Sequence, residues 1–233
     1  MVGGRRWGHR RYNGGRMALF YLVRHGESVW NAEERLCGRT DVELSDAGRR
    51  QAEHLGQRLR GLPPVAIYAS PLRRTVETAA IVAQGSGLAP IIDPRIIELN
   101  YGAWEGKTFA EVKTQDRDLY RRWDADPAAE APPGGETGLA GLERIVPFLN
   151  ELRQRYAAGH EHVVVVTHKT VCRLALCHVL GLAPSEYRRR LSMENAALNI
   201  IAPSEDGWRV VLINDTSHLA AVHTEAASLN GVF

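Results

Sequence analysis

Residues 18–28 read ALFYLVRHGES, six apolar side chains in a row followed by Arg24, His25, Gly26, Glu27 and Ser28. A short, uninterrupted apolar run that stops at charge is the pattern of a strand covered on both faces, since a half-exposed strand alternates with polar residues. Two further runs repeat it. Residues 65–69 (VAIYA) lead into Ser70, Pro71, Leu72, Arg73, Arg74 and Thr75, and residues 163–167 (VVVVT) lead into His168, Lys169 and Thr170. Between these runs, residues 45–59 predict a helix opened by a Ser cap, and residues 71–83 predict another with Pro in its first turn. Leu139, Leu142, Ile145, Val146, Leu149, Leu152 and Tyr156 recur at three- and four-residue intervals, which predicts one long amphipathic helix just ahead of VVVVT. Residues 197–201 and 209–213 predict two late strands joined by a turn at 204–207, forming an antiparallel edge. Residues 124–138 (DADPAAEAPPGGETG) read as a Pro/Gly-rich surface loop. Strand and helix thus alternate, giving an α/β sandwich around a mainly parallel sheet.

The 233 residues, 44% hydrophobic and 24% charged, suffice for one domain with a sizeable core and leave little for a second. A formal net charge of +2 gives no chain-wide field for non-specific nucleic-acid binding, so any anion preference is local. Cys37, Cys172 and Cys177 form neither a disulfide framework nor a CxxC motif and read as free thiols in a reducing cytoplasm. Residues 1–16 carry five arginines and no acid and read as a disordered basic tail, with residues 17–233 as the domain. The tail is followed by too short an apolar run for an export signal or a membrane span. Met17, directly before the first strand, makes an upstream misassigned start an alternative to a functional tail, and a nucleic-acid arm is the outside possibility.

In parallel α/β sheets, ligands bind beyond the carboxyl ends of the strands. If the strands are neighbours, the three run ends here bring two histidines and several arginines to one crevice. Arg24 and Arg73, permanently charged and matched to phosphate geometry, would neutralise a phosphoryl dianion. A neutral His25 would attack phosphorus, splitting one hard hydrolysis into transfer and dephosphorylation. His168 would serve best protonated, donating to the equatorial oxygens. Glu98, in residues 96–102 (IIELNYG), is the acid that would supply a proton to the leaving alkoxide.

Six segments in order carry a resemblance: LVRHGESVWN (22–31), CGRTDVELSDAGRRQA (37–52), ASPLRRTVETA (69–79), IIELNYGAWEG (96–106), PGGET (133–137) and VVTHK (165–169). Together they resemble the histidine phosphatase, or phosphoglycerate-mutase-like, superfamily. The resemblance implies a three-layer α/β/α sandwich, His25 as the phosphorylated nucleophile, and Arg24, Asn31, Arg73 and His168 around the phosphoryl group. It also implies Glu98 as proton donor and acceptor, with Ser28, the backbone at Cys37 and Gly38, and Tyr101 on the substrate side. No metal or cofactor is implied. One departure stands out: the family often has His-Gly after the last core strand, and here His168 is followed by Lys169. Its side chain would meet a substrate carboxylate or face solvent.

The short span from Gly106 to Gly138, together with residues 193–196 and 213–219, is similar to the phosphatase branch, including metal-independent phosphoserine phosphatases. The implied partner is a small phosphorylated metabolite, with no nucleic acid and no membrane, and a homodimer is left open. A 2,3-bisphosphoglycerate-dependent phosphoglycerate mutase is the runner-up, and a non-catalytic binder of phosphorylated ligands is the alternative from another class. Arg74, next to Arg73 but pointing elsewhere on a helix, reads as structural or solvent-facing. His160, Glu161 and His162 read as a solvated turn rather than a metal site. Cys172 and Cys177 read as core thiols, and His218 as a packed C-terminal residue in preference to a substrate contact.

Overall fold

A run such as VVVVT can be buried on two faces only if something covers each of them, and alternate side chains show what does. A computed structural model describes residues 17–157 and 159–220; the basic tail lies outside the described residues. The chain runs β1 (Leu19–Arg24), α1 (Val29–Ala32), α2 (Asp46–Leu59), β2 (Pro64–Ala69), α3 (Arg73–Val82), β3 (Ile91–Ile92), α4 (Phe109–Gln115) and α5 (Arg117–Ala125). It continues through α6 (Gly138–Tyr156), β4 (His162–Thr167), α7 (Lys169–Leu180), α8 (Tyr187–Arg190), β5 (Leu198–Ser204) and β6 (Gly207–Asp215).

The sheet order is β3-β2-β4-β1-β5-β6. β1 and β2 each pair in parallel with β4, β3 pairs in parallel with β2, and β5 and β6 form the antiparallel edge. Phe20, Leu22, Tyr68, Val163 and Val165 pack with Ile145, Phe148, Leu149 and Leu152 of α6 and with Val171, Leu174 and Ala175 of α7. The alternate residues Tyr21, Val23, Ile67, Val164 and Val166 pack on the other face with Leu55 and Leu59 of α2 and Ala79 and Val82 of α3. Three layers therefore follow from the period-two geometry of strands, and each large side chain so enclosed contributes about 1.5–3 kcal/mol. Cys172 and Cys177 are fully buried in the first of these layers.

The helices obey their local signals. Ser45 caps α2, its Oγ accepting from the Gly48 N–H, and Thr137 caps α6 in the same way through Ala140. α2 turns Gln51, Ala52, Leu55 and Leu59 inward. One stretch carries helices that the sequence reading did not assign. Residues 107–125 hold α4 and α5, tied by a Thr108–Glu111 capping box and by a separate aromatic cluster of Trp104, Tyr120 and Trp123 with Leu36 and Val112. Trp104 anchors it by donating from Nε1 to Asp116 Oδ2 at 2.7 Å. The loop proper begins at Asp126, after α5 has ended at Ala125.

Candidate active site

The crevice lies at the carboxyl ends of β1, β4 and β2, where the ladder continues one step past the strands. The His25 N–H donates to Thr167 O at 2.9 Å, and the Ser70 N–H donates to Val166 O at 3.2 Å. These bonds hold three strand-end residues, His25, His168 and Ser70, side by side. The rings of His25 and His168 lie 5.2 Å apart between centroids, inclined at 65°.

His25 is fully enclosed, and each ring nitrogen has one fixed neighbour. Nδ1 lies 2.6 Å from the Gly26 carbonyl oxygen, which can only accept, so Nδ1 carries the proton. Nε2 then presents its lone pair, and the Arg74 Nε–H donates to it at 3.3 Å. Burial first, then the charges of Arg74 and Arg24, hold this imidazole well below its usual pKa and therefore neutral, against the opposing pull of the Gly26 carbonyl.

His168 caps α7 and is likewise buried. His168 Nε2 lies 2.7 Å from Ser70 Oγ, which also accepts from the Leu72 N–H at 3.4 Å. His168 Nδ1 is a buried atom with no partner among the described residues. Burial, then Arg74 and His25, hold this ring well below the ordinary histidine pKa. In the protein without ligand this environment therefore disfavours the protonated His168 expected with a bound phosphoryl group.

The guanidinium beside the histidines is also not the one expected. Arg73 stands on the surface, its side chain 61% exposed and 3.2 Å from Glu43. Arg74 is fully buried, with Nη1 donating to Thr40 O and Nη2 to Gly38 O in addition to its bond with His25. A signal for this was present in the sequence: Arg74, Thr78 and Val82 fall on one i, i+4 row that continues the buried face of α3, and Arg73 does not. Arg24 is 7% exposed, donates from Nη1 to Met193 O at 2.7 Å, and leaves Nε buried without a partner among the described residues. Burial, partly offset by Glu98 and Glu194, pushes its pKa down to about 10.

Glu98 is 6% exposed and its two oxygens accept from the N–H groups of Leu99 (2.9 Å) and Thr170 (3.2 Å), the latter in the first turn of α7. Arg39 and Arg144 both donate to its carbonyl oxygen, and both also pair with Glu136 of the PGGET segment. Glu105 holds the facing loop, accepting from the backbone of Arg39, Thr40 and Tyr101. Gly38 in that loop has φ +51°, and a side chain there would collide with Glu105. Arg74, Ser70, Glu105, Glu136 and Arg144 are the positioning residues that the sequence reading did not assign.

The remaining expected residues lie close by. Ser28 caps α1 and lies 3.4 Å from Cys37 Sγ, and Asn31 Nδ2 lies 3.5 Å from the same sulfur. Burial raises the Cys37 pKa and keeps it a thiol. The Tyr101 hydroxyl meets Thr170 Oγ1 at 3.0 Å, its pKa pushed up to about 12 by burial and by Glu98. Elsewhere, His162 Nδ1 meets the Tyr21 hydroxyl, and His218 Nε2 donates to the carbonyl of Ala196. Among the described residues no three His, Cys, Asp or Glu side chains gather as a metal site.

Comparison with known proteins shows the family and the fold. The profile of the histidine phosphatase superfamily (branch 1) matches residues 20–216. Phosphoserine phosphatase 1 of Hydrogenobacter thermophilus is 35% identical over 210 residues, 90% of this chain and 98% of its own. The probable phosphoglycerate mutase GpmB of Erwinia tasmaniensis is 31% identical over 214 residues, 87% of this chain and 95% of its own. Among solved structures, Bacillus stearothermophilus YhfR superposes with a TM-score of 0.80 at 32% identity, covering 87% of this chain and 99% of that one. The mycobacterial glucosyl-3-phosphoglycerate phosphatase in complex with VO3 gives 0.77 at 28% identity, covering 85% and 99%. The chain belongs to the histidine phosphatase superfamily, branch 1.

Proposed function

We propose that the protein hydrolyses a phosphomonoester of a small metabolite through a phosphohistidine on His25, with Glu98 as proton donor and acceptor. The observation that carries this reading is the fixed tautomer of His25, whose Nδ1 proton is held by the Gly26 carbonyl so that a neutral ring directs its Nε2 lone pair toward Arg74. Such a nitrogen is a competent nucleophile near neutral pH.

In the first step Nε2 gives its lone pair to phosphorus, the bond from phosphorus to the ester oxygen breaks, and Glu98 in its acid form passes a proton to the leaving alkoxide. In the second, the Glu98 carboxylate takes a proton from water while the water oxygen attacks phosphorus. The N–P bond breaks, its electron pair returns to Nε2, and phosphate leaves. One ester and one water become one alcohol and one phosphate, with His25 and Glu98 restored. Arg24, Arg74 and a ring N–H of His168 supply the donors for the charge on the equatorial oxygens, the Arg24 Nε left without a partner among the described residues finding its acceptor there.

The relatives named as phosphatases favour water as the final acceptor. The mutase reading is favoured by relatives named as probable phosphoglycerate mutases, in which case a second hydroxyl takes the phosphoryl group. Product analysis separates the two. Phosphoserine and 3-phosphoglycerate, incubated with and without 2,3-bisphosphoglycerate, should yield free phosphate and no isomer, and His25→Ala should lower kcat by roughly 10⁴ or more. Isomer without phosphate, or undiminished turnover in the variant, overturns the reading.

A further inference from the structure

Lys169, the residue that departs from the family pattern, opens α7 directly after His168. Arg173 follows four residues on, on the same face of the helix. Lys169 is half-buried, and burial first, then Arg24 and Arg173, push its amine down to about 8 against the pull of Glu194 and Glu98. Among the described residues neither Lys169 nor Arg173 has a side-chain hydrogen bond or an ion pair, and Arg173 Nε is a buried atom without a partner.

The charge neighbours of Arg173 are Tyr101, Tyr187, Arg188 and Glu98. Two of these are also unsatisfied: the Tyr187 hydroxyl and Arg188 Nη1 are buried with no partner. Arg188 is held rigidly all the same. Its guanidinium lies 3.9 Å over the Trp123 ring and 5.5 Å over Phe109, and its Nη2 is 3.3 Å from Asp124. Native interiors keep few unpaired donors, and each calls for an explanation. Here they border the crevice, with Arg24 and Glu98 among the charge neighbours of Lys169, Tyr101 and Glu98 among those of Arg173, and Arg188 set against the aromatic cluster of α4 and α5. Arg24, Arg74 and His168 are the donors assigned above to the phosphoryl group, which leaves the flanking cations without an assigned partner.

We propose that Lys169 and Arg173 form a second anion subsite that selects phosphomonoesters carrying another anionic group, a carboxylate or a second phosphate, within a few bonds of the ester. This rests on the phosphatase reading above for what happens to the ester, but not for the binding itself. Charge-assisted hydrogen bonds reward the doubly anionic substrate. A substrate lacking the second anion leaves these half-buried cations unpaired, and that penalty discriminates against it.

Matched pairs test this: phosphoserine against phosphoethanolamine for the carboxylate, and fructose 1,6-bisphosphate against fructose 6-phosphate for the second phosphate. Dissociation constants are measured on His25→Ala protein, which separates binding from turnover, and kcat/KM on protein with His25 intact. A preference of roughly tenfold or more for the doubly anionic member of at least one pair is expected, and the pair that shows it identifies the second anion. Lys169→Met and Arg173→Met, each made in both backgrounds, should bring that ratio to parity. Parity in both pairs before substitution, or a ratio that survives both substitutions, overturns the subsite. Weakening of both members alike also overturns it, because the cations would then serve the transferred phosphoryl group. A binding preference without any hydrolysis would defeat the catalytic reading and leave the subsite standing, whereas hydrolysis without preference would do the reverse.

Discussion

The reactivity assigned to His25 depends on two contacts, the Gly26 carbonyl on Nδ1 and the Arg74 N–H on Nε2. A guanidinium next to the attacking nitrogen suppresses its protonation and stands ready for the charge that arrives with phosphate. Arg74→Gln should therefore cost roughly 10²–10³ in kcat, as loss of other transition-state donors does, whereas Arg73→Gln, a surface ion pair with Glu43, should stay within about threefold. Phosphate-release kinetics on the two variants check this, and the reverse order would contradict the placement. At this scale His25, Arg24, Glu98 and His168 were legible because each ends a strand or stands in a recognisable segment. The choice of Arg74 over Arg73 was legible only from the phase of α3, in which Arg74 shares its row with Thr78 and Val82, and the sequence reading did not use that phase.

Helix α2 is pressed against the nucleophile loop, and glycines allow the approach. A Cβ at Gly48 would overlap the carbonyl oxygen of Glu27, and one at Gly26 would overlap that of Gly48. In an open helix Gly→Ala stabilises by about 0.5–1 kcal/mol. Here Gly48→Ala should instead destabilise by about 1–3 kcal/mol, the usual range for overpacking, with a lower midpoint in urea. A variant as stable as the parent would mean that the loop yields freely. The capped helices and the buried strands were readable because caps and apolar runs are local. α4 and α5 were not: their stability comes from Trp104, Tyr120 and Trp123 meeting one another across separate segments, which no local periodicity announces.

For the whole molecule, the order β3-β2-β4-β1-β5-β6 sets β4 between β1 and β2, so the three polar strand ends become neighbours at one edge. The layered α/β fold was legible from strand–helix alternation, and the convergence of histidines followed from it. The flank formed by Lys169, Arg173 and Arg188 was not legible, since it depends on α7, α8 and α5 packing together. No helix among the described residues is long and apolar enough to cross a membrane. The central claim is a covalent bond between phosphorus and His25 Nε2. The most direct measurement mixes the protein with a radiolabelled phosphomonoester, quenches within one turnover in alkali, where phosphohistidine survives, and maps the label by peptide sequencing. The account predicts label on His25 and none in His25→Ala; phosphate release with label on another residue, or with no labelled protein at any time, would contradict it.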